Sequence, residues 1–412
     1  MEGHRSRLPL AVLAAVVAAG AATWILRPRS GIIEPAPVSE TTYFSHAQLA
    51  KAHDYRDVQR WLGLAGLALS GGTLTLLAVR PPRRLIGRFE RRPLLGGAAV
   101  GAGLSVTLGL VGLPLAAVAH SRSVDVGLST QDWGDWLADA GKAAGIETLF
   151  AAAGGALGLG LVRRFRRNWW APASVCVVGL GIASLWLFPV VIDPIFNRFE
   201  KLPPGRLRSE VLSLAQRAGV NVGQVYRVDA SRRTTGTNAY VNGLGHTKRV
   251  VLYDNLIDNF PDDQVQSVVA HELGHQKHND IYRGLAWLAL VAPAGLFLAQ
   301  ALAERIARRA GLDDRSRKPG PAALPAIALS LALVSFGGGI ASNLMSRRVE
   351  ASADAFSLQL THDPAAQIEL QRRLAVSNVA EPDPPGLLQA LFGTHPTTVE
   401  RIGIGEAWAR KR

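Results

Sequence analysis

One cysteine, Cys176, in a chain of 412 residues leaves no partner for an internal disulfide and excludes a cysteine-built zinc centre. Carboxylates are scarce as well: 32 Asp and Glu stand against 45 Lys and Arg, a formal net charge of +13. In a soluble chain that excess would point to nucleic acid. Here the arginines cluster in runs such as residues 80–92 and 163–167, at the ends of apolar blocks. That is the pattern of loops beside anionic lipid, and it argues for a bilayer partner and against nucleic-acid binding. Ionisable residues are almost missing from the apolar blocks, which argues against a transporter or receptor with charged groups along its path.

What is present is long apolar sequence, 48% of the chain by residue type. Crossing a bilayer takes about 18 or more apolar residues in succession. Seven blocks qualify: residues 8–26, 62–79, 94–119, 143–162, 169–192, 285–303 and 321–344. The second and fourth are rich in Gly and Ala, as is common where membrane helices pack closely. The first follows Arg5 and Arg7 and has no clean small-residue cleavage site, so it reads as a retained signal anchor. Four regions follow from this distribution: residues 1–192 with five spans, 193–283 as a polar subdomain, 284–345 with two spans around a basic loop, and 346–412 as a polar C-terminal region. Trp133, Trp136, Trp169, Trp170 and Trp186 sit near span ends as interfacial anchors, and Glu147 near the start of a span reads as a snorkelling or capping residue.

Within the polar subdomain, Leu207, Val211, Leu214 and Ala215 recur at helical spacing. Residues 224–229 and 249–253 are short and β-branched and predict strands; residues 238–241 predict a third, before a turn at 243–245. Pro261 followed by Asp262 and Asp263 marks a helix start, and that helix should run at least to His278. A second amphipathic helix is expected from about Ser346 to Leu360.

The first of these helices carries His271, Glu272, Leu273, Gly274 and His275, an H-E-x-x-H motif. Residues four apart share a helix face, so both imidazoles can bind one ion while the glutamate beside them takes a proton from a water the ion activates. A catalytic zinc needs a third protein ligand and one open position. Glu350 is the best candidate, with Asp354 four residues on as a carboxylate that orients a ligand histidine. The same spacing equally describes an exposed acidic face paired with Arg347 and Arg348. His278 also follows the motif; helix surface or support of a ligand are its two readings, with the first preferred.

From about residue 189 to 402 the chain resembles the CAAX prenyl protease type 1 family, zinc-dependent membrane peptidases. The resemblance rests on Pro194-Ile195-Phe196-Asn197-Arg198-Phe199, on Asn238-Ala239-Tyr240, on Lys248-Arg249-Val250-Val251-Leu252-Tyr253-Asp254, on the H-E-L-G-H motif, on Arg347-x-x-Glu350-x-x-Ala353-Asp354-x-Phe356, and on His395-Pro396 through Glu400-Arg401. Residues 127–131 weakly resemble a further family loop. The resemblance implies a mainly α fold: a multi-pass membrane bundle of about seven spans around a chamber, with a small α+β zincin-like catalytic subdomain. It implies one zinc ion per chain on His271, His275 and Glu350, Glu272 as general base, and Asp354 supporting a ligand. It further implies His395 as a stabiliser of the tetrahedral oxyanion, Arg401 as the partner of an acid in the site, and Asn238, Ala239 and Tyr240 on an edge strand that a substrate backbone joins. The activity implied is hydrolysis of peptide bonds in peptides or membrane-associated proteins. A transporter or an inactive metal-binding scaffold is the alternative; the scaffold would lack the base, and Glu272 is present.

Short loops rich in Lys and Arg stay in the cytoplasm. The N-terminus and the second, fourth and sixth loops carry most of these residues, which predicts a cytoplasmic N-terminus and an extracytoplasmic catalytic region. Eukaryotic members of the family are usually drawn with that region in the cytosol, so the loop charges and the resemblance point to opposite sides.

Overall fold

The computed structural model describes residues 7–243, 248–312 and 318–411. Besides one-turn pieces, its elements in chain order are α1 (Arg7–Leu26), α2 (His46–Val79), α3 (Pro93–Asp125), α4 (Trp133–Arg164), α5 (Trp170–Leu187), β1 (Phe199–Lys201), α6 (Arg206–Ala218), β2 (Gln224–Val228), β3 (Ala239–Asn242), β4 (Arg249–Tyr253), α7 (Asp254–Asn259), α8 (Asp262–Lys277), α9 (Asp280–Arg309), α10 (Leu324–Thr361), α11 (Pro364–Ser377), α12 (Gly386–Phe392) and α13 (Thr398–Ala409). Among the described residues, seven helices are long and apolar enough to cross a membrane, and each contains or closely matches one of the seven expected blocks.

Several spans outrun the bilayer. The 34 residues of α2 extend about 51 Å at 1.5 Å each, against a hydrocarbon core of about 30 Å. Its polar first half, started by a Ser45–Gln48 capping box, leaves the membrane level and packs on the C-terminal region. There Arg56 donates to the Val379 and Asn378 carbonyls and Arg60 pairs with Glu381. The fifth span continues past α5 through a π-helical stretch, Phe188–Ile192, into Asp193–Phe196. Pro189 and Pro194 each lack an amide hydrogen, which accounts for the widened turn between them.

The spans follow one another around a ring, α4–α3–α2–α10–α9–α5, with α1 outside against α9 and α10. One end of the ring is closed by a shared cluster: Val100 of α3, Leu159 and Val162 of α4, Ala173 of α5, Leu296, Ala299 and Ala303 of α9, and Leu324 and Ile327 of α10. The basic loops lie at that end. The spanning windows of the third and fifth spans otherwise have no buried residue. A solid seven-helix bundle would bury many, so the helices stand around a chamber, with the polar subdomain at its opposite end.

That subdomain is a four-stranded sheet in the order β1-β2-β4-β3, antiparallel except for the parallel pair β2–β4. Strand β1 was not anticipated; three residues are too few for a period-2 pattern to register. The expected turn at 243–245 lies, beyond Gly243, outside the described residues. One face of the sheet packs on α6 and α8 through Val211, Leu214, Val225, Val250, Leu252, Val269 and Leu273. The helix expected to begin near Ser346 does not start there: α10 runs unbroken from Leu324 to Thr361, through Gly337–Gly339, Asn343 and Ser346, with the Asn343 side chain turned outward to the Leu391 carbonyl and not used as a cap. The last span and the helix bearing Glu350 are one rod. The segment between α1 and α2 lies across that rod, with Ile33 buried against Ala351, Ala355, Leu358 and Ile404, and the Ala36 amide bonded to the Gly403 carbonyl at 2.9 Å.

The tightest joint in the ring is α3 on α4. A Cβ on Gly97 would stand 2.6 Å from the Gly155 carbonyl oxygen, and one on Gly101 would strike Ala151. Gly101→Val should therefore destabilise the detergent-solubilised protein by at least about 1–3 kcal/mol. Gly109→Val on the same helix, where a Cβ meets nothing within 4 Å, should leave the thermal midpoint unchanged. Equal melting of the two variants would contradict this packing.

Candidate metal centre

Pro261 ends the preceding extended chain and α8 starts at Asp262, with two acids in its first turn favourable to the helix dipole. The next turns bring His271 and His275 to one face, their Nε2 atoms 3.2 Å apart. Helix α8 can approach α10 closely because position 274 has no side chain: a Cβ there would lie 3.2 Å from the Phe356 ring and 3.3 Å from the Ala353 Cα. The crossing presents Glu350 to the histidines. Its Oε2 lies 3.1 Å from His271 Nε2 and its Oε1 3.6 Å from His275 Nε2.

Asp354, one turn along α10, takes the far nitrogen of the first histidine: Oδ1 is 2.9 Å from His271 Nδ1. The carboxylate is itself held by Arg401 of α13, through Nε at 2.8 Å and Nη2 at 2.6 Å. A Thr397–Glu400 capping box starts α13 and sets Arg401 on its first turn. Glu350 and Asp354 are buried, Asp354 to 1% exposure. The alternative of an exposed acidic face is thereby removed; Arg348 pairs with Glu34 instead, and Arg347 with backbone carbonyls.

His275 has a matching partner that the sequence reading missed. Asn279, at φ 57°, breaks the chain between α8 and α9 and turns Asp280 back, so that its Oδ2 lies 3.0 Å from His275 Nδ1. Arg283 bonds the other oxygen of Asp280. The available signal was an acid in the first turn after the motif helix, together with the rule that a ligand histidine has a partner for its other nitrogen. His278 does not join the cluster: it stacks edge-on against Phe356 and lies 3.3 Å from Ser352 Oγ. His395 does, with Nε2 3.3 Å from Glu350 Oε2 and Nδ1 2.9 Å from Thr394 Oγ1.

Strand β3 is an edge strand beside α8. The Tyr253 amide bonds the Asn238 carbonyl, so by antiparallel alternation the N–H and C=O of Ala239 and Val241 face outward. Val241 is already engaged, its carbonyl by Gln276 Nε2 at 3.2 Å and its amide by the Glu272 carboxylate. Ala239 keeps its carbonyl on the open edge while the exposed Asn238 side chain caps its amide at 2.8 Å. The Ala239 methyl is buried and Tyr240 is half-buried. The loop at 127–131 docks next to this edge: the Thr130 amide bonds the Arg233 carbonyl, the Thr235 amide bonds Leu128, and Arg233 pairs with Asp139 at 2.7 Å. Of the tryptophans, Trp186 and Trp133 are exposed, as anchors should be, although Trp133 also packs with Trp136 around His120; Trp169 is buried in the closed end.

Burial raises the Glu272 carboxyl above the ordinary carboxylate range, with His271 and His275 pulling the other way. Burial also works against a charged His271, but Asp354 and then Glu350 outweigh it and hold that imidazole up to about 10. The atoms offered by His271, His275 and Glu350 all lie within 4.8 Å of one another. Two imidazole nitrogens and one carboxylate oxygen, each imidazole backed by a carboxylate, form a donor set that suits a tetrahedral divalent ion such as zinc.

Residues 201–408 match the model of peptidase family M48. The chain is 30% identical over 373 residues to the metalloprotease YhfN of Bacillus subtilis, covering 89% of this chain and 87% of that one. It is 33% identical over 228 residues to a CAAX prenyl protease 1 homolog of Arabidopsis thaliana and 29% identical over 257 residues to CAAX prenyl protease 1 of Saccharomyces cerevisiae. The first of these matches covers 54% of this chain and 52% of the relative, the second 57% and 54%. Its fold is similar to that of S. mikatae Ste24p in a crystal structure, with a TM-score of 0.76 and 20% identity over 98% of this chain and 99% of that one. The chain belongs to peptidase family M48 and is a multi-pass membrane metallopeptidase, similar over about half its length to CAAX prenyl proteases.

Proposed function

We propose that this chain is a zinc metalloendopeptidase that cleaves peptides or membrane-associated proteins inside a membrane-walled chamber, and that His271, His275 and Glu350 hold its zinc. The observation that carries the reading is the pairing of each motif histidine with a carboxylate, the buried Asp354 and the part-buried Asp280, behind a convergent donor triad. A zinc ion held there supplies Lewis acidity and makes a water acidic enough to lose a proton near neutral pH. Glu272, steadied by the Val241 amide, takes the proton of the attacking water as the new C–O bond forms. The same carboxyl hands a proton to the amine as the C–N bond breaks. His395 donates to the oxygen on which negative charge develops. The carbonyl of Ala239 and the Asn238 side chain take the substrate backbone as an added strand, beside Tyr240. Functionally, residues 1–192 and 284–345 build the chamber wall, while 193–283 and 346–412 supply the site.

Glu272→Gln should lose at least about two orders of magnitude in peptide hydrolysis yet keep its zinc. Glu350→Ala should lose the zinc itself, and Asp354→Asn should bind it about 10–100-fold more weakly. Elemental analysis of purified protein, with turnover of a quenched peptide, separates these outcomes; full zinc in Glu350→Ala would reassign the third ligand. Peptides retained by Glu272→Gln and read by mass spectrometry would identify the substrate class.

Asn238→Ala should reduce turnover while zinc content stays at one per chain. A parallel loss of zinc would mean that β3 supports the metal rather than the substrate.

The closed end of the chamber carries the basic loops, with Arg83, Arg84, Arg88, Arg91, Arg92, Arg163, Arg164 and Arg309 among the described residues, whereas the opposite end carries the site. Loop charge therefore favours an extracytoplasmic catalytic region. In a Cys176→Ala background, a membrane-impermeant maleimide applied to intact cells should label Ser213→Cys and spare Glu90→Cys. The reverse pattern would put the site in the cytoplasm.

A further inference from the structure

Phe336, Asn343, Arg347, Glu350 and Asp354 recur at spacings of seven, four, three and four, one continuous stripe along α10. The last two belong to the metal centre. The first three all meet a single neighbouring segment, residues 386–393. Asn343 Nδ2 donates to the Leu391 carbonyl at 2.8 Å. Arg347 Nη1 donates to the carbonyls of Gln389 at 3.2 Å and Gly393 at 2.6 Å. The Phe336 and Phe392 rings pack with centroids 6.2 Å apart. The Leu391 and Gly393 carbonyls lie at the end of α12 and just beyond it, where a helix leaves its last carbonyls without partners, while the Gln389 carbonyl also accepts from the Gly393 amide. The segment has little else to hold it. Helix α12 is seven residues long, rests on α10, and has no buried residue; Leu387 is 72% exposed and Phe392 46%. Two residues past Gly393 stands His395, whose carbonyl accepts from Gln389 Nε2 at 2.7 Å.

We propose that Arg347 and Asn343 are positioning residues for His395: by tying the end of α12 to the rod that carries Glu350, they fix the height of His395 over the metal centre. The proposal rests on the role given above to His395. An oxyanion donor is effective only when it is already in place, since a displacement of about 1 Å can cost about 100-fold in rate. A seven-residue helix between Gly386 and Gly393 does not supply that rigidity. A bracket from α10 does, and because Glu350 and the bracket share one helix, the point at which the His395 segment is anchored keeps a fixed distance from Glu350.

Two measurements test this. The first is a kinetic cycle with His395→Ala. Arg347→Ala should lower kcat about tenfold or more, with KM and zinc content unchanged, and Arg347→Lys should recover part of the loss. In a His395→Ala background, Arg347→Ala should change kcat less than about twofold, because the group it positions is gone. Independent, multiplicative losses, or loss of zinc in Arg347→Ala, would overturn the proposal. The second needs no activity: a nitroxide on Leu387→Cys in a Cys176→Ala background reports the mobility of α12. Arg347→Ala and Asn343→Ala should each sharpen its spectrum, and an unchanged spectrum in both would refute the tether. A fully active His395→Ala would overturn the reading of His395 and the catalytic half of the proposal with it, while the label would still decide the mechanical half.

Discussion

The closeness with which α8 crosses α10 is the constraint on which the rest of the structure depends. Two histidines on one helix make half a metal site; the other half arrives on a helix about 75 residues later in the chain. Gly274 permits the approach, since any side chain there would meet Phe356 and the α10 backbone. Once the helices are that close, Glu350 faces both imidazoles and Asp354 reaches the back of His271. Burying these groups is costly unless each charge is met, and each is: His271 by two carboxylates, Asp354 by a two-pronged arginine, His275 by Asp280. The network is fully paired through residues from α8, α9, α10 and α13, so those four helices are fixed relative to one another by the requirements of one site.

The same crossing ties the membrane to the chemistry. Because α10 does not stop at the membrane boundary, the last span delivers Glu350, the proposed third ligand, directly, with no loop between wall and site. Helix α9 contributes from its first turn the carboxylate of Asp280, which holds the far nitrogen of His275. The segment after α1 then braces the outer face of α10 with Ile33, and α2 reaches out of the bilayer to hold Asn378 and Val379 with Arg56. A chamber walled by separate spans would be free to shear against a domain placed on top of it. Here at least two wall helices are themselves parts of the active centre, which is a physical basis for keeping a hydrolytic site in register with a chamber opening.

The sequence by itself determined the seven spans, the motif helix and the strands β2, β3 and β4. Each of these is announced locally: runs of about 18 apolar residues, a Pro-Asp-Asp start, short β-branched stretches. It also determined that Glu350 and Asp354 share a helix face, because i and i+4 always do. What it could not decide was whether that face looks at solvent or at the motif histidines. Exposed acids beside Arg347 and Arg348 and buried acids beside a metal have the same spacing, and only the approach of α8 distinguishes them. Asp280 escaped notice for a related reason: five residues after His275 is the wrong helical offset, and the pair meets only because Asn279 adopts a left-handed conformation. The continuity of α10 was hidden by the change from apolar to polar sequence near Ser346, which marks where the environment changes and not where the helix ends. Period and composition are short-range properties of the chain. Which faces meet, and which charges are then out of water, is set by packing between distant segments, and that was decided only by the tertiary structure.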